Sequence, residues 1–241
     1  LVELIKVIEK DEKIGVVGSK ILYPDGRIQN AGHYELPNFY WGERGAFQES
    51  KEFNKTEEVV SLCGAAVLYR KKCFREAGLF DEDYVIYNED VDMVLRLRQK
   101  GRVALFVPKS IVYHRFHGSG SHELSRFYIE RNRLLFIAKF YPEKLSIGLI
   151  GNKYFTVENN LRYCGMIYSF LLDIVLKLLK HHEAGMIEDT LKDVFSELKK
   201  ISNFENEVLK SKVEEANNQL NALNIQLAQQ QEELSSKVSQ I

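Results

Sequence analysis

Cysteine is scarce in this sequence. Cys63, Cys73 and Cys164 are odd in number and show no Cys-x-x-Cys spacing, which argues against a disulfide framework and a zinc ribbon and suggests a reducing compartment. An excess of either charge is lacking too. Thirty-three Lys and Arg against 34 Asp and Glu give a net charge of -1, so no broad basic field exists to hold nucleic acid, which is not expected as a partner. Long apolar runs are also missing: the longest uncharged stretch of the helical region, between Arg162 and Asp173, is about half of the ~20 residues that cross a bilayer. A spanning helix is not expected. The chain opens on Leu1 without an initiator Met or a signal-peptide apolar region, and is expected to begin inside a longer protein.

What is present is ordinary globular material. With 241 residues, 45% apolar and 28% charged, the chain can form one to two domains with a sizeable core. Residues 1–118 mix short apolar runs with turn residues and read as α/β. Leu1, Leu4, Ile5 and Ile8 have helical spacing, and Ile14–Gly18 is a short strand bounded by glycines. Pro24-Asp25-Gly26 is a turn. Glu58–Ser61 and Ala65–Tyr69 read as strands around Cys63-Gly64, and Lys71–Ala77 as a helix stopped by Gly78. Asn88 can cap a helix from Glu89 to about Lys100, with Gly101 as its stop, and Val103–Val107 and Ile111–His114 read as two strands separated by Pro108.

Beyond the run Gly118–Ser121 the chain turns helical to about residue 200. Tyr168, Leu171, Leu172, Val175, Leu178 and Leu179 form an apolar face beside Lys177, Lys180, His181 and His182, which reads either as a core-packing helix or as one lying at a membrane surface. From Leu209, the residues Val213, Leu220, Leu227, Leu234 and Ile241 recur every seven positions, with Leu209, Ala216 and Leu223 at the complementary seam. That is a coiled coil of about four heptads, which could make the chain a homo-oligomer or space it from another domain. The expected divisions are 1–142, 143–200 and 201–241.

Chemistry concentrates in the acid- and amide-rich run Phe80–Asp92. Glu89 and Asp90 sit in a first helical turn, where the helix dipole favours ionised carboxylates able to accept a proton from a hydroxyl; merely complementing the dipole is the alternative. Asp92 has Arg96 four residues on, a helix-face ion pair. Asp81-x-Asp83 lies in a turn and Asp90-x-Asp92 within a helix, so neither pair presents its acids together as a metal motif does. His114, ending a strand, could give Mn²⁺ or Mg²⁺ one ligand. Arg131 lies on the helical face of Leu124, Phe127, Tyr128, Leu135 and Ala138 and needs a carboxylate or phosphate partner.

In order, these blocks run Ile14–Ser19 with Tyr23–Arg27, Cys63–Ala66, Gly78–Glu82, Glu89-Asp90-x-Asp92 with Leu95-Arg96, Val107-Pro108 with Val112–His114, and Arg131-Asn132. Over residues 1–142 the sequence resembles the C-terminal half of a family 2 inverting glycosyltransferase, most like the rhamnosyl- and galactofuranosyl-type members. The resemblance implies a partial GT-A (Rossmann-like) mixed sheet with flanking helices and a role in cell-surface polysaccharide synthesis. It makes Asp90, of the pair Glu89-Asp90, the catalytic base, His114 a ligand of a divalent metal (Mn²⁺ or Mg²⁺) in an incomplete site, and Gly64 and Ala65 part of the acceptor wall. Arg131 would contact the diphosphate. Partners would be a nucleotide-sugar donor and a glycan acceptor. The implied location is the cytoplasm, with peripheral contact at the inner face of the membrane. The donor-binding half and its D-x-D would precede Leu1, so the chain alone is expected to be inactive, with an open sheet edge where the missing strands pair. The alternative is a non-catalytic oligomerisation protein built on a degenerate transferase half.

Overall fold

The computed structural model describes residues 1–115, 122–150 and 170–200, with isolated helical positions between 203 and 218. Helix α1 (Val2–Ile8) leads into strand β1 (Ile14–Leu22), whose nine residues are all buried. A strand buried on both faces sits mid-sheet. Strand β2 (Ile28–Asn30) pairs antiparallel with the end of β1. Strands β3 (His33–Leu36) and β4 (Tyr40–Glu43) form a separate antiparallel pair. Strand β5 (Glu57–Glu58) and strand β6 (Val67–Tyr69) follow, then α2 (Lys71–Ala77), α3 (Glu89–Gln99) and β7 (Val103–Tyr113). β7 runs parallel to β1 and takes β5 on its far edge, giving the order β2-β1-β7-β5 with β6 against the start of β1.

Alternation along the strands sends side chains to two cores. Val17 and Val107 meet Leu4, Val7 and Ile8 of α1. On the opposite face Val16, Ala104 and Phe106 meet Cys73 of α2 and Met93, Val94 and Leu97 of α3. Each of the buried Val, Leu, Ile, Phe and Met side chains contributes about 1.5–3 kcal/mol by leaving water. The result is α/β, with the partial GT-A, Rossmann-like layout that the resemblance implies.

Several strand expectations change in detail: the strand expected over Glu58–Ser61 shrinks to Glu57–Glu58, with only an isolated bridge from Ser61 to His33, and the one expected over Ile14–Gly18 runs on to Leu22. Pro108 does not split β7, because Ser19 faces Val107 while Lys20 faces Ile111, so residues 108–110 bulge out of one continuous strand. Ser110 Oγ closes the bulge on Ser19 Oγ at 2.9 Å. The strand expected from Ala65 starts only at Val67, since Gly64–Ala66 coil into a 3₁₀ turn.

The helical region packs a third core. Helices α4 (His122–Phe140), α5 (Leu145–Ile150), α6 (170–181) and α7 (184–200) bring together Leu134, Ile137, Leu149, Phe170, Ile174, Leu178 and Val194. Of the apolar face expected for α6, Leu178 is buried in this core and Leu171 packs against it, Tyr168 lies outside the described residues, and Phe170 and Ile174, which were not part of that face, supply the rest of the contact. Lys177, expected on its polar side, is only 1% exposed, whereas Leu172, Leu176 and Leu179 face outward. Among the described residues no helix is long and apolar enough to cross a membrane. The heptad stretch and the Gly118–Ser121 run lie outside the described residues, isolated positions of the former apart.

Candidate active site

The tip of α3 is reached through an unusual backbone path. Val85, Tyr87 and Asn88 have φ of 62°, 69° and 67°, a region that costs a residue with a Cβ about 1–2 kcal/mol. Asn88 holds the cap position, but in the left-handed conformation and without a side-chain cap hydrogen bond. The expected side-chain cap is thus absent, and the turn is fixed by other means. Upstream, Asp81 accepts from Lys139 and Lys177 at 2.7 Å each, and Asp83 from Lys177 at 2.8 Å. Burial alone would raise the Asp81 pKa, but the two ammonium groups hold it well below the usual carboxylate range. Lysine pairing accounts for both acids of Asp81-x-Asp83. Asp92, fully buried, pairs with Arg96 at 2.8 Å, as its spacing predicts, and with Lys139 at 2.6 Å.

The path delivers the α3 tip into a cavity of about 530 Å³. His33, Tyr40, Trp41 and Glu43 of β3 and β4 form one wall, Cys63–Ala65 another, and Ser125, Tyr128 and Arg133 of α4 a third. Asn88, Glu89, Asp90 and His114 complete it. Of the residues singled out from sequence, Glu89, Asp90, Gly64, Ala65 and His114 thus share one hollow. Arg131 is not among its lining residues: its Nε donates to Asp173 Oδ2 at 2.7 Å and its Nη1 to the Asp83 carbonyl at 2.6 Å. The carboxylate that pairs with Arg131 is that of Asp173 on α6.

The two acids at the tip differ. Asp90 Oδ2 accepts the Gly64 N–H at 2.8 Å and Oδ1 the Val91 N–H at 2.7 Å, which fixes the carboxyl plane. A Cβ on Gly64 would lie 3.4 Å from the Asp90 Cβ, an ordinary contact, so what Gly64 supplies to Asp90 is its backbone donor. Glu89 Oε2 is buried without a hydrogen-bond partner. Burial and the neighbouring Asp90 charge push its pKa up to about 7. Ionisation of both acids at neutral pH was the expectation from the helix dipole; for Glu89, desolvation outweighs that dipole.

A divalent cation suits part of this donor set. Nδ1 of His114 lies 2.8 Å from Gln29 Oε1. With Gln29 Oε1 as the acceptor, the tautomer of a neutral His114 that carries its proton on Nδ1 leaves on Nε2 the lone pair a metal takes. His33, Cys63 and Asp90 also bring one donor atom each to within 4.8 Å of one another. Burial pushes the Cys63 thiol up to about 12, however, and Asp90, Glu43 and Glu89 add to the rise. It stands as a neutral thiol, a weaker ligand than a thiolate.

Sequence reasoning missed His33 and Arg133 as cavity residues. The pairing of β3 with β4 positions His33, a contact no local pattern encodes. Arg133, 1% exposed, is held by Glu130 at 2.8 Å and by carbonyls of Asn38 and Gly148; its place two residues after Arg131 was the available signal.

An acid pair on a helix tip, beside the carboxyl end of a parallel strand in an α/β sheet, is the arrangement of a small-molecule cleft. The family that the chain belongs to is glycosyl transferase family group 2, which matches residues 35–179. The N-acetylglucosaminyl-diphospho-decaprenol L-rhamnosyltransferase of Mycobacterium tuberculosis is 27% identical over 122 residues, 45% of this chain and 40% of that protein. The O-antigen biosynthesis protein RfbC of Myxococcus xanthus is 31% identical over 122 residues, 46% of this chain and 9% of that protein. The chain thus matches well under half the length of either relative.

Proposed function

We propose that the whole protein transfers a sugar from a nucleoside-diphosphate donor to an acceptor hydroxyl with inversion, with Asp90 as general base. The observation that carries this reading is the Asp90 carboxyl, held in the cavity by N–H donors of Gly64 and Val91. Both anchors leave oxygen lone pairs for an incoming hydroxyl. Its proton passes to Asp90, its oxygen attacks the anomeric carbon, and the nucleoside diphosphate leaves from the opposite side of that carbon. Glu89, with its raised pKa, is the second acid of the pair, in a different environment and so in a different protonation range. Gly64 and Ala65 line the acceptor side, and Trp41 and Tyr128 offer aromatic faces to a sugar ring.

His114 Nε2 would be one ligand of Mn²⁺ or Mg²⁺, which when bound offsets charge on the leaving diphosphate. The remaining ligands would come from the donor-binding half. The acceptor is a growing cell-surface glycan on a lipid carrier, as the name of the mycobacterial relative suggests. The exposed Leu172, Leu176 and Leu179 on α6 are consistent with peripheral contact at the cytoplasmic membrane face.

The test is transfer by the full-length protein from a nucleoside-diphosphate L-rhamnose to an N-acetylglucosaminyl-diphospho-lipid. Asp90→Asn should lower the rate by about 10²–10⁴-fold with the melting temperature kept, and His114→Ala should raise the metal concentration needed. Near-normal turnover by Asp90→Asn would reduce the residue to a dipole partner and sink the reading.

A further inference from the structure

The Val85–Asn88 turn, with positive φ at Val85, Tyr87 and Asn88, precedes the acid pair directly, and one side chain meets three backbone carbonyls in and beside it. Asn132, fully buried on α4, donates from Nδ2 to the carbonyls of Tyr84, Ile86 and Tyr87 at 2.7, 2.6 and 2.8 Å. An amide nitrogen has two hydrogens, so at least one is shared between two of these acceptors. The amide cannot turn over, because Arg131 Nη1 donates to its Oδ1 at 2.9 Å and an arginine only donates. Arg131 is anchored in turn by Asp173 of α6 and tied to the Asp83 carbonyl. α4 grips the loop at a second point, where the Tyr87 hydroxyl meets Ser125 Oγ at 2.9 Å.

We infer that Asn132 is a positioning residue for the proposed transfer: its amide, oriented by Arg131 and Asp173, fastens the Tyr84–Tyr87 backbone so that the α3 tip enters the cavity at a fixed place. Asn132 itself touches backbone, not the reacting atoms, and acts through Asp90. This gives Arg131-Asn132 a role that needs no phosphate, and it makes α6 part of the support of the active site. It rests on the reading of Asp90 as base.

An aspartate has the shape of Asn132 but turns an acceptor oxygen toward three carbonyls, so Asn132→Asp should release the loop while filling the same space. In the full-length protein, assayed with the nucleoside-diphosphate L-rhamnose and lipid acceptor above and normalised to folded protein, kcat should fall about 100-fold, the scale of a misplaced reacting group. KM for the donor should stay within about threefold, since uniform binding is untouched. Asp173→Asn, at a half-exposed position, removes only the outer anchor and should lower kcat by about tenfold, again with KM kept; it decides the matter alone if Asn132→Asp does not fold. Wild-type kcat in the folded variants, or a loss that falls on KM alone, overturns the inference. Asp90→Asn run alongside separates the two ideas: if it is inactive while Asn132→Asp and Asp173→Asn retain wild-type kcat, only the positioning role fails, and if it is active the base assignment itself has failed.

Discussion

Glu89 shows how far a single residue can depart from its sequence context. Its place in a first helical turn favours the anion, yet burial and Asp90 carry its pKa from 4.5 to about 7. The folded state therefore holds a proton that the unfolded chain releases near 4.5. Stability from this group is complete below that value and is lost as pH rises through about 7. Between about pH 5 and pH 8 unfolding free energy should drop by on the order of 2 kcal/mol from Glu89, and Glu89→Gln should flatten that slope in denaturant titrations. An unchanged slope in the variant would assign it to other groups. Asp81 does not interfere, because a carboxyl held low loses its contribution only in stronger acid. The position of Glu89 beside Asp90 was legible in the sequence; its desolvation was not, since the walls that bury it come from distant segments.

Elements tell a similar story. Helix α6 reads as amphipathic with Lys177 on its polar side, but Lys177 Nζ sits within 2.7 Å of Asp81 and 2.8 Å of Asp83, 96 and 94 residues upstream. Sequence spacing inside the helix cannot anticipate partners that far away. Removing one member of a buried ion cluster leaves opposite charge unpaired, so Lys177→Ala should cost about 3 kcal/mol in chemical denaturation. A change below about 0.5 kcal/mol would mean the cluster behaves as a surface pair. The two helix stops, which depend on local chemistry, were read correctly. α2 stops at Gly78 with φ 80°, and α3 stops before Gly101 with φ 75°, as glycine's freedom at positive φ predicts.

At the scale of the whole molecule, the heptads at 213, 220, 227, 234 and 241 make oligomerisation the property to measure. We expect the chain to sediment as an oligomer and a version ending at residue 200 as a monomer; equal sedimentation of both would remove the coiled coil as the cause. The ordered motifs carried the resemblance to the family, and the α/β class was legible because turn glycines, helix starts and alternating strands are local patterns set by backbone sterics. Sequence also put the acid pair on a helix tip and His114 at a strand end. Only tertiary structure decided that these groups share one cavity, that Arg131 faces Asp173, and that Asn132 holds the backbone leading to Asp90. Burial and long-range pairing arise when distant segments close on one another, and no window of the sequence contains both partners.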